Sequence, residues 1–223
     1  FKAGHDSTGI TVPTTTWYLA EGATGPYFDL FVLVANPNSQ VAPVRATYLL
    51  PDGSTVVKTY EVAAESRFNI WVDFEDSRLA DTAVSTIVES TGDVPIIVER
   101  AMWWPGPTPA TWAEAHNSPG AIVSGVEWAV AEGEQGGARN AQTYFTVANT
   151  ATYQGTVRVT LLFEDGTTAQ RTFTVPPTSR FNVDVAHEFS TAGGYPTDLF
   201  PRGASKRFGA VIEAVETTWV DMV

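Results

Sequence analysis

The chain has 223 residues, a net charge of −12 at pH 7 and no cysteine. This length suits two domains of about 100 residues each. The acidic charge argues against binding to nucleic acid or to an anionic membrane surface, and the lack of cysteine excludes disulfides, thiolate metal sites and cysteine nucleophiles. The sequence holds no apolar run of about 18 residues, so we expect no membrane insertion.

The N-terminal stretch resembles a later part of the same chain. The segment GHDSTGITVPTTTWYLAEG (residues 4–22) matches AHNSPGAIVSGVEWAVAEG (residues 115–133), with His5 on His116. That later segment closes one repeat and begins the next, and repeats of this kind indicate modular architectures. Residues 1–13 are therefore predicted to be an orphan terminal strand, the tail of a preceding or neighbouring module.

Residues 14–124 are predicted to form the first module. Short runs rich in Val, Ile, Thr, Tyr and Phe dominate it, among them DLFVLVAN, VRATYLL, STVVKTYEV, RFNIWVD and VPIIVERAMWW. Such runs are typical of β-strands. Between two of them lies Asp52-Gly53, a pair that a tight hairpin turn favours.

Residues 125–223 are predicted to form the second module, because they repeat the first. Phe31 aligns with Tyr144, and the match continues without a gap to Asp73 on Ala186, so that ESRFNIWVD recurs as TSRFNVDVA. The repeat ends at AVETTWVDMV, with no counterpart of HNSPGAIVSG. The second module is therefore predicted to lack its last strand.

Several short strands with turn residues between them predict an all-β fold. In two copies they predict two tandem antiparallel β-sandwich modules of the immunoglobulin-like type. Helix signals are limited to about one turn near residues 76–81 and another near residues 187–190.

The motifs TTWYLAEGATGPYFDLFVLVANPN, YLLPDGSTVVKTYEVAAESRFNIWVD, PIIVERAMWW and HNSPG together resemble a family of tandemly repeated β-sandwich modules in large secreted or surface proteins of bacteria. The resemblance covers nearly the whole chain and implies a secreted or cell-surface location. It carries over no catalytic or ligand-binding residue. The sequence has no nucleophile elbow, phosphate-binding glycine loop or HExxH motif, so we expect no enzymatic activity, no cofactor and no metal site.

The offset ends of the chain suggest a structural function. A sandwich that lacks a strand exposes an unpaired edge, and the orphan stretch has the sequence of the segment that the second module lacks. We predict that one chain's N-terminus completes the next chain's second module by strand addition, which would build a surface fibre, stalk or layer head to tail. The alternative is a fragment of a longer array, cut out of phase with its modules. The residues expected at the interface are Ile10, Thr11, Val12, Val211, Val215 and Trp219.

A second hypothesis, from a different class, is an adhesin or carbohydrate-binding module. It would use exposed tryptophans, with Trp103, Trp104 and Trp112 as candidate glycan contacts. The competing interpretation makes these residues part of the packing and the prolines between them a stiff connection. Solvent exposure of the indole rings distinguishes the two.

The charged residues also have two interpretations. DFED (residues 73–76) carries three carboxylates, as a calcium site would, but its counterpart AHEF keeps only one, which favours a solvated acidic loop. Glu99 and Arg100 are interpreted as paired or solvent-facing strand residues. Arg67, repeated as Arg180, is expected either to help fix a strand edge or to pair with a carboxylate such as Glu21 or Glu132.

Overall fold

The computed structural model describes residues 7–105, 112–202, 204–215 and 220–223. It is an all-β, sandwich-like structure of antiparallel sheets, as predicted. The chain divides into two compact units, Phe1–Ser124 and Gly125–Val223. No helix within the described ranges has the length and apolar character to cross a membrane.

The described residues of the first unit form two four-stranded sheets. The strands are β1 (Thr16–Leu19), β2 (Asp29–Asn36), β3 (Ala42–Leu49), β4 (Thr55–Val62), β5 (Ser66–Trp71), β6 (Ser85–Ser90), β7 (Ile97–Pro105) and β8 (Trp112–Pro119). One sheet has the order β1-β6-β3-β4 and the other has the order β5-β2-β7-β8. All their pairings are antiparallel.

The predicted hairpin turns are confirmed in both units. Gly53 and Gly166 each have a φ of +81°, a conformation that glycine adopts without steric cost. The side chain of Asp52 accepts a hydrogen bond from the Ser54 amide at 2.9 Å, and Asp165 accepts one from the Thr167 amide at 2.9 Å. The aspartate and the glycine thus fix each turn together.

The core of the first unit is formed by side chains from both sheets. Burial alternates along β2, as expected for a strand with one face on the core. Trp17 of β1 is the largest fully buried side chain. The inward residues of β2 and β3 that join it are Leu30, Val32, Val34, Ala42, Val44, Ala46 and Tyr48.

The second unit repeats most of this arrangement. Its strands are β9 (Glu127–Val130), β10 (Glu134–Gly136), β11 (Tyr144–Asn149), β12 (Gly155–Phe163), β13 (Thr168–Val175), β14 (Ser179–Asp184) and β15 (Ser205–Val215), and α1 (Val185–Glu188) is a single helical turn. β15 pairs with β12 on one side and with β9 and β10 on the other, while β13 pairs with β12. β11 and β14 form a separate two-stranded sheet.

The repeat extends to individual hydrogen bonds. The Trp17 indole donates to the Ile96 carbonyl at 2.9 Å, and the Trp128 indole donates to the Met222 carbonyl at 2.9 Å. Met222 therefore takes the place of Ile96, immediately before β7. The backbone amide of Val223 donates to the Ala148 carbonyl, and the Ala148 amide donates to the Val223 carbonyl. In the first unit, Ile97 pairs with Ala35 at the equivalent position.

The N-terminal strand predicted over residues 1–13 lies partly outside the described residues. Residues 7–13 contain no strand. Ile10 is half-buried against the core of the first unit, Val12 is exposed, and the Ser7 hydroxyl accepts a hydrogen bond from Asn117 at 3.0 Å. This part of the segment therefore contacts its own first unit.

Removal of the Asn36 side chain should destabilise the first unit. Its buried amide nitrogen donates to the carbonyls of Gln40, Val62 and Ala63 at 2.7, 3.1 and 3.0 Å. We expect Asn36→Ala to lower the free energy of unfolding by about 2 to 3 kcal/mol, because buried carbonyls lose their donor. Urea unfolding followed by tryptophan fluorescence measures this.

The exposed Glu61 on β4 provides the control. Glu61→Ala should change the free energy of unfolding by no more than about 0.5 kcal/mol. Equal effects of the two substitutions would contradict the role given to Asn36.

Candidate functional site

The outer face of the β5-β2-β7-β8 sheet carries a contiguous group of aromatic rings, which we call the aromatic platform. Its central contacts join Phe31 to Trp71 at 5.0 Å and Trp71 to Trp112 at 6.2 Å, measured between ring centroids. Phe74 packs on Trp71 at 4.7 Å, and Trp103 packs on Trp112 at 5.1 Å. The platform brings together two of the tryptophans singled out in the sequence.

The platform is open to solvent. Phe74 is 75% exposed, Trp112 40% and Trp71 37%, whereas Trp103 and Phe31 are half-buried beneath or beside them. Large exposed apolar patches on a folded protein commonly mark a binding surface.

Local contacts hold these rings in place. The Trp112 indole nitrogen donates to the Asp29 carboxylate, which tethers β8 to the start of β2. Phe31 meets Trp112 edge to face, at an interplanar angle of 90°, an arrangement that aromatic pairs favour. The orientations of the exposed rings are thus set before any partner arrives.

Polar side chains border the platform on the same face. Residues directly opposite one another in antiparallel strands point to the same side of the sheet. By this register Asn69 and Glu99 flank Leu33, and Asn117 lies opposite Ala101 beside Phe31. Amide and carboxylate groups therefore surround the aromatic rings.

Trp104 lies on the other face of the same sheet. Its indole nitrogen donates to Glu114 at 3.1 Å, and its ring packs against Phe28 and the core of the first unit. The three tryptophans predicted as glycan contacts therefore divide between two faces, and Trp104 is not part of the platform.

A buried arginine is the site feature that the sequence interpretation missed. Arg100 of β7 is only 3% exposed, and its Nη2 donates to Glu21 at 2.5 Å, to Ser118 at 3.0 Å and lies 3.1 Å from Nδ1 of His116. Glu21 thus pairs with Arg100 and not with Arg67, which is exposed. Arg100, interpreted from the sequence as paired or solvent-facing, is paired and buried, and Glu99 lies on the opposite face of the strand, because neighbouring strand residues face opposite ways.

The electrostatics of Arg100 follow from its burial. Desolvation lowers the pKa of its guanidinium group, and the nearby Glu21 carboxylate opposes that shift. Its Nη1 is buried and makes no hydrogen bond to the part of the chain that the structure describes. An adjacent cavity of about 470 Å³ is lined by Glu21, Tyr27, Phe28, Arg100, Trp104 and His116.

A different feature, the β11 groove, lies in the second unit. β11 pairs with β14 along one edge. Along the other edge of β11, residues 148–150 form backbone hydrogen bonds with residues 221–223. Within the described ranges, Tyr144–Val147 form no backbone hydrogen bond along that edge. The groove beside them has a cavity of about 130 Å³. Its apolar lining comes from Trp128, Val130, Phe145, Val147, Ile212 and Met222.

The residues predicted for strand addition lie elsewhere. Val211 is in the interior of its sheet, since β15 pairs with both β12 and β9 at that point. Val215 is paired with Thr156 of β12, and Trp219 lies outside the described residues. β15 has partners on both sides over most of its length. Among the described residues, the unpaired stretch beside the apolar groove therefore belongs to β11 and not to β15.

The acidic DFED segment has structural contacts of its own. Asp73 accepts hydrogen bonds from the amides of Gly25 and Leu30 at 3.2 and 2.9 Å. Burial raises the pKa of Asp73 despite these amides. The hydrogen bonds from Arg78 lower the pKa of Asp76 to about 2. These carboxylates fasten the loop that follows β5.

Comparisons with known proteins find no family model and no curated protein that matches the chain. Several solved structures are distantly similar, among them the following two. One is titled Crystal Structure of Thermotoga maritima 1070, with a TM-score of 0.43, 16% identity and coverage of 50% of this chain and 96% of that one. The other is the Anabaena sensory rhodopsin transducer, with a TM-score of 0.36, 23% identity and coverage of 41% and 91%. Similarities this low carry no argument about function.

We expect the two residues of the Arg100–Glu21 pair to differ in how much their substitution lowers the free energy of unfolding. Glu21→Gln leaves a buried guanidinium charge without its counter-charge and should lower the free energy of unfolding by about 1 to 3 kcal/mol. Arg100→Met should cost less, because the Glu21 side chain is 47% exposed and water can hydrate the carboxylate that remains.

Urea unfolding of both variants tests this prediction, with Glu99→Gln on the outer face as the control. A larger loss of stability for Arg100→Met than for Glu21→Gln would contradict it.

Proposed function

We propose that the chain is a non-enzymatic building block of an extracellular fibre, stalk or layer. In this proposal its two units are tandem immunoglobulin-like modules of the secreted or surface type that the sequence motifs resemble. Copies assemble head to tail, with the N-terminal segment of one copy added as a strand to the second unit of the next. The observation that carries the proposal is the open β11 groove.

The first unit serves as a template for a filled groove. There β7 pairs with β2 from Ala35 to Asp29, and its inward residues Val98 and Met102 are buried in the core. The second unit aligns with this arrangement up to Val223, the equivalent of Ile97. A strand in the β11 groove would thus take the place that β7 occupies in the first unit.

Filling the groove would be energetically favourable. It would pair the backbone groups of Tyr144 and Thr146 that point away from β14, and it would cover the apolar side chains of Trp128 and Val130. Each Val or Ile side chain that an incoming strand buries contributes roughly 1.5 to 3 kcal/mol. Strand addition of this kind combines main-chain hydrogen bonds with side-chain pockets.

The N-terminal segment is available as the donor. Residues 7–13 form no strand and no backbone hydrogen bond with the described part of the chain. Among these seven residues, donation would release the contacts of Ile10 and Ser7 with the first unit. By the repeat, residues 1–8 correspond to β8, which pairs with β7 and not with β2 in the first unit. In this proposal the donated segment therefore takes the β7 place beside β11 without being the sequence counterpart of β7. A donor and an acceptor at different places on the chain make a heterologous contact, which propagates into a filament.

Removal of the donor should abolish assembly. We expect residues 1–223 to form particles whose size increases with concentration, and residues 14–223 to remain monomeric. Sedimentation velocity and negative-stain electron microscopy measure the difference. Monomers at all concentrations for the intact chain would contradict the proposal, and assembly that survives the truncation would contradict the N-terminal donor.

A fusion tests the acceptor separately. Residues 98–124 appended after Val223 supply a β7 and a β8 in cis, so this chain should stay monomeric even with its N-terminus intact. A Gly-Ser tail of the same length is the matched control and should leave assembly unchanged. Assembly of the β7–β8 fusion to the same extent as the control would contradict the role of the groove.

A further inference from the structure

We infer that the aromatic platform of the first unit binds a neutral polysaccharide, by stacking of pyranose rings on Trp71, Trp112 and Phe74. The proposed assembly uses the groove of the second unit and the N-terminal segment. That segment contacts the platform's rim through Ser7, whose hydroxyl accepts a hydrogen bond from Asn117 at 3.0 Å, but the stacking rings take no part in the assembly.

The chemistry of the exposed rings fits a sugar. A pyranose has an apolar face of C–H groups and a rim of hydroxyls, and an indole or phenyl ring offers a flat apolar surface for that face. Trp71, Trp112 and Phe74 lie in one contiguous group, so more than one sugar unit can be contacted. Since Asp29 tethers Trp112, little side-chain freedom remains to be lost on binding.

The polar rim fits the sugar hydroxyls. Asn69, Glu99 and Asn117 lie on the platform face by strand register. Amides both donate and accept hydrogen bonds, and a carboxylate accepts them, which matches hydroxyls that do both. Aromatic surfaces with a few placed polar groups are characteristic of ligand sites.

Charge favours a neutral glycan over an acidic one. The chain carries a net charge of −12, and the platform itself contains Asp29 and Glu99. An alginate-like or pectin-like polymer would be repelled by this field at moderate ionic strength.

The second unit shows that the module does not need the platform for folding. The residues aligned with Phe31, Trp71 and Phe74 are Tyr144, Asp184 and His187, yet β11 and β14 keep the pairing of β2 and β5. A patch required by the fold alone would recur in the repeat. Phe31 keeps an aromatic counterpart in Tyr144, whereas Trp71 and Phe74 are aromatic only in the first unit.

Affinity gel electrophoresis tests the inference with the full chain. The probes are galactomannan, mixed-linkage β-glucan, hydroxyethyl cellulose and glycol chitin as nominally neutral polymers, with alginate as the acidic comparison. We expect retardation by at least one neutral polymer and none by alginate. Trp71→Ala and Phe74→Ala should each weaken that binding at least tenfold. Tyr153→Ala, which removes an exposed tyrosine of the second unit, should not.

Folding and self-association must be followed in the same variants. Far-UV circular dichroism checks the fold, and Phe74→Ala, at a 75% exposed position, provides a test even if Trp71→Ala unfolds. The inference is overturned if no neutral polymer retards the chain, or if the folded variants bind as the parent does. It is also overturned if the substitutions reduce assembly instead of glycan binding, because the platform would then be a protein interface.

Discussion

The hydrogen bond between a buried indole and the backbone carbonyl before β7 is the constraint on which the rest of the first unit depends. Trp17 lies in one sheet and Ile96 leads into the other, so this bond at 2.9 Å ties the two sheets together. It also fixes where β7 begins and which of its residues face inward. Trp128 and Met222 repeat it at the same distance, which places the start of a β7 equivalent in the second unit.

The two faces of β7 then have different chemistry. Val98, Arg100 and Met102 face inward, and the guanidinium group is compensated by Glu21. Glu99, Ala101 and Trp103 face outward and form part of the platform and its rim. In the second unit, Val223 is the equivalent of Ile97, the first residue of β7. The place of the remaining β7 residues corresponds there to the apolar groove beside β11. β7 thus carries part of the platform and the buried arginine of the first unit, and the groove beside β11 lies at the corresponding position of the second unit.

Local features were predictable from the sequence, and long-range pairings were not. Asp-Gly pairs and alternating strands are encoded within a few residues, so the hairpins and the all-β class followed directly. Arg100 and Glu21 are separated by 79 positions, and nothing in the sequence indicates that they meet. The opposite orientations of Trp103 and Trp104 follow from strand alternation. The position of Trp112, however, depends on a register shift at Trp104/Pro105, which no local sequence pattern predicts.

Amide hydrogen exchange along β11 tests the central claim, that the second unit has an open edge that accepts a strand. Mass spectrometry of peptides covering Tyr144–Asn149 and Asp29–Asn36 compares the two equivalent strands. In dilute protein, the amides of β11 should exchange faster than those of β2. The reason is that β2 is paired along both edges, with β5 and with β7, whereas β11 is paired along one edge with β14. The protection of β11 should rise with protein concentration. Equal protection of the two strands at every concentration would contradict the account.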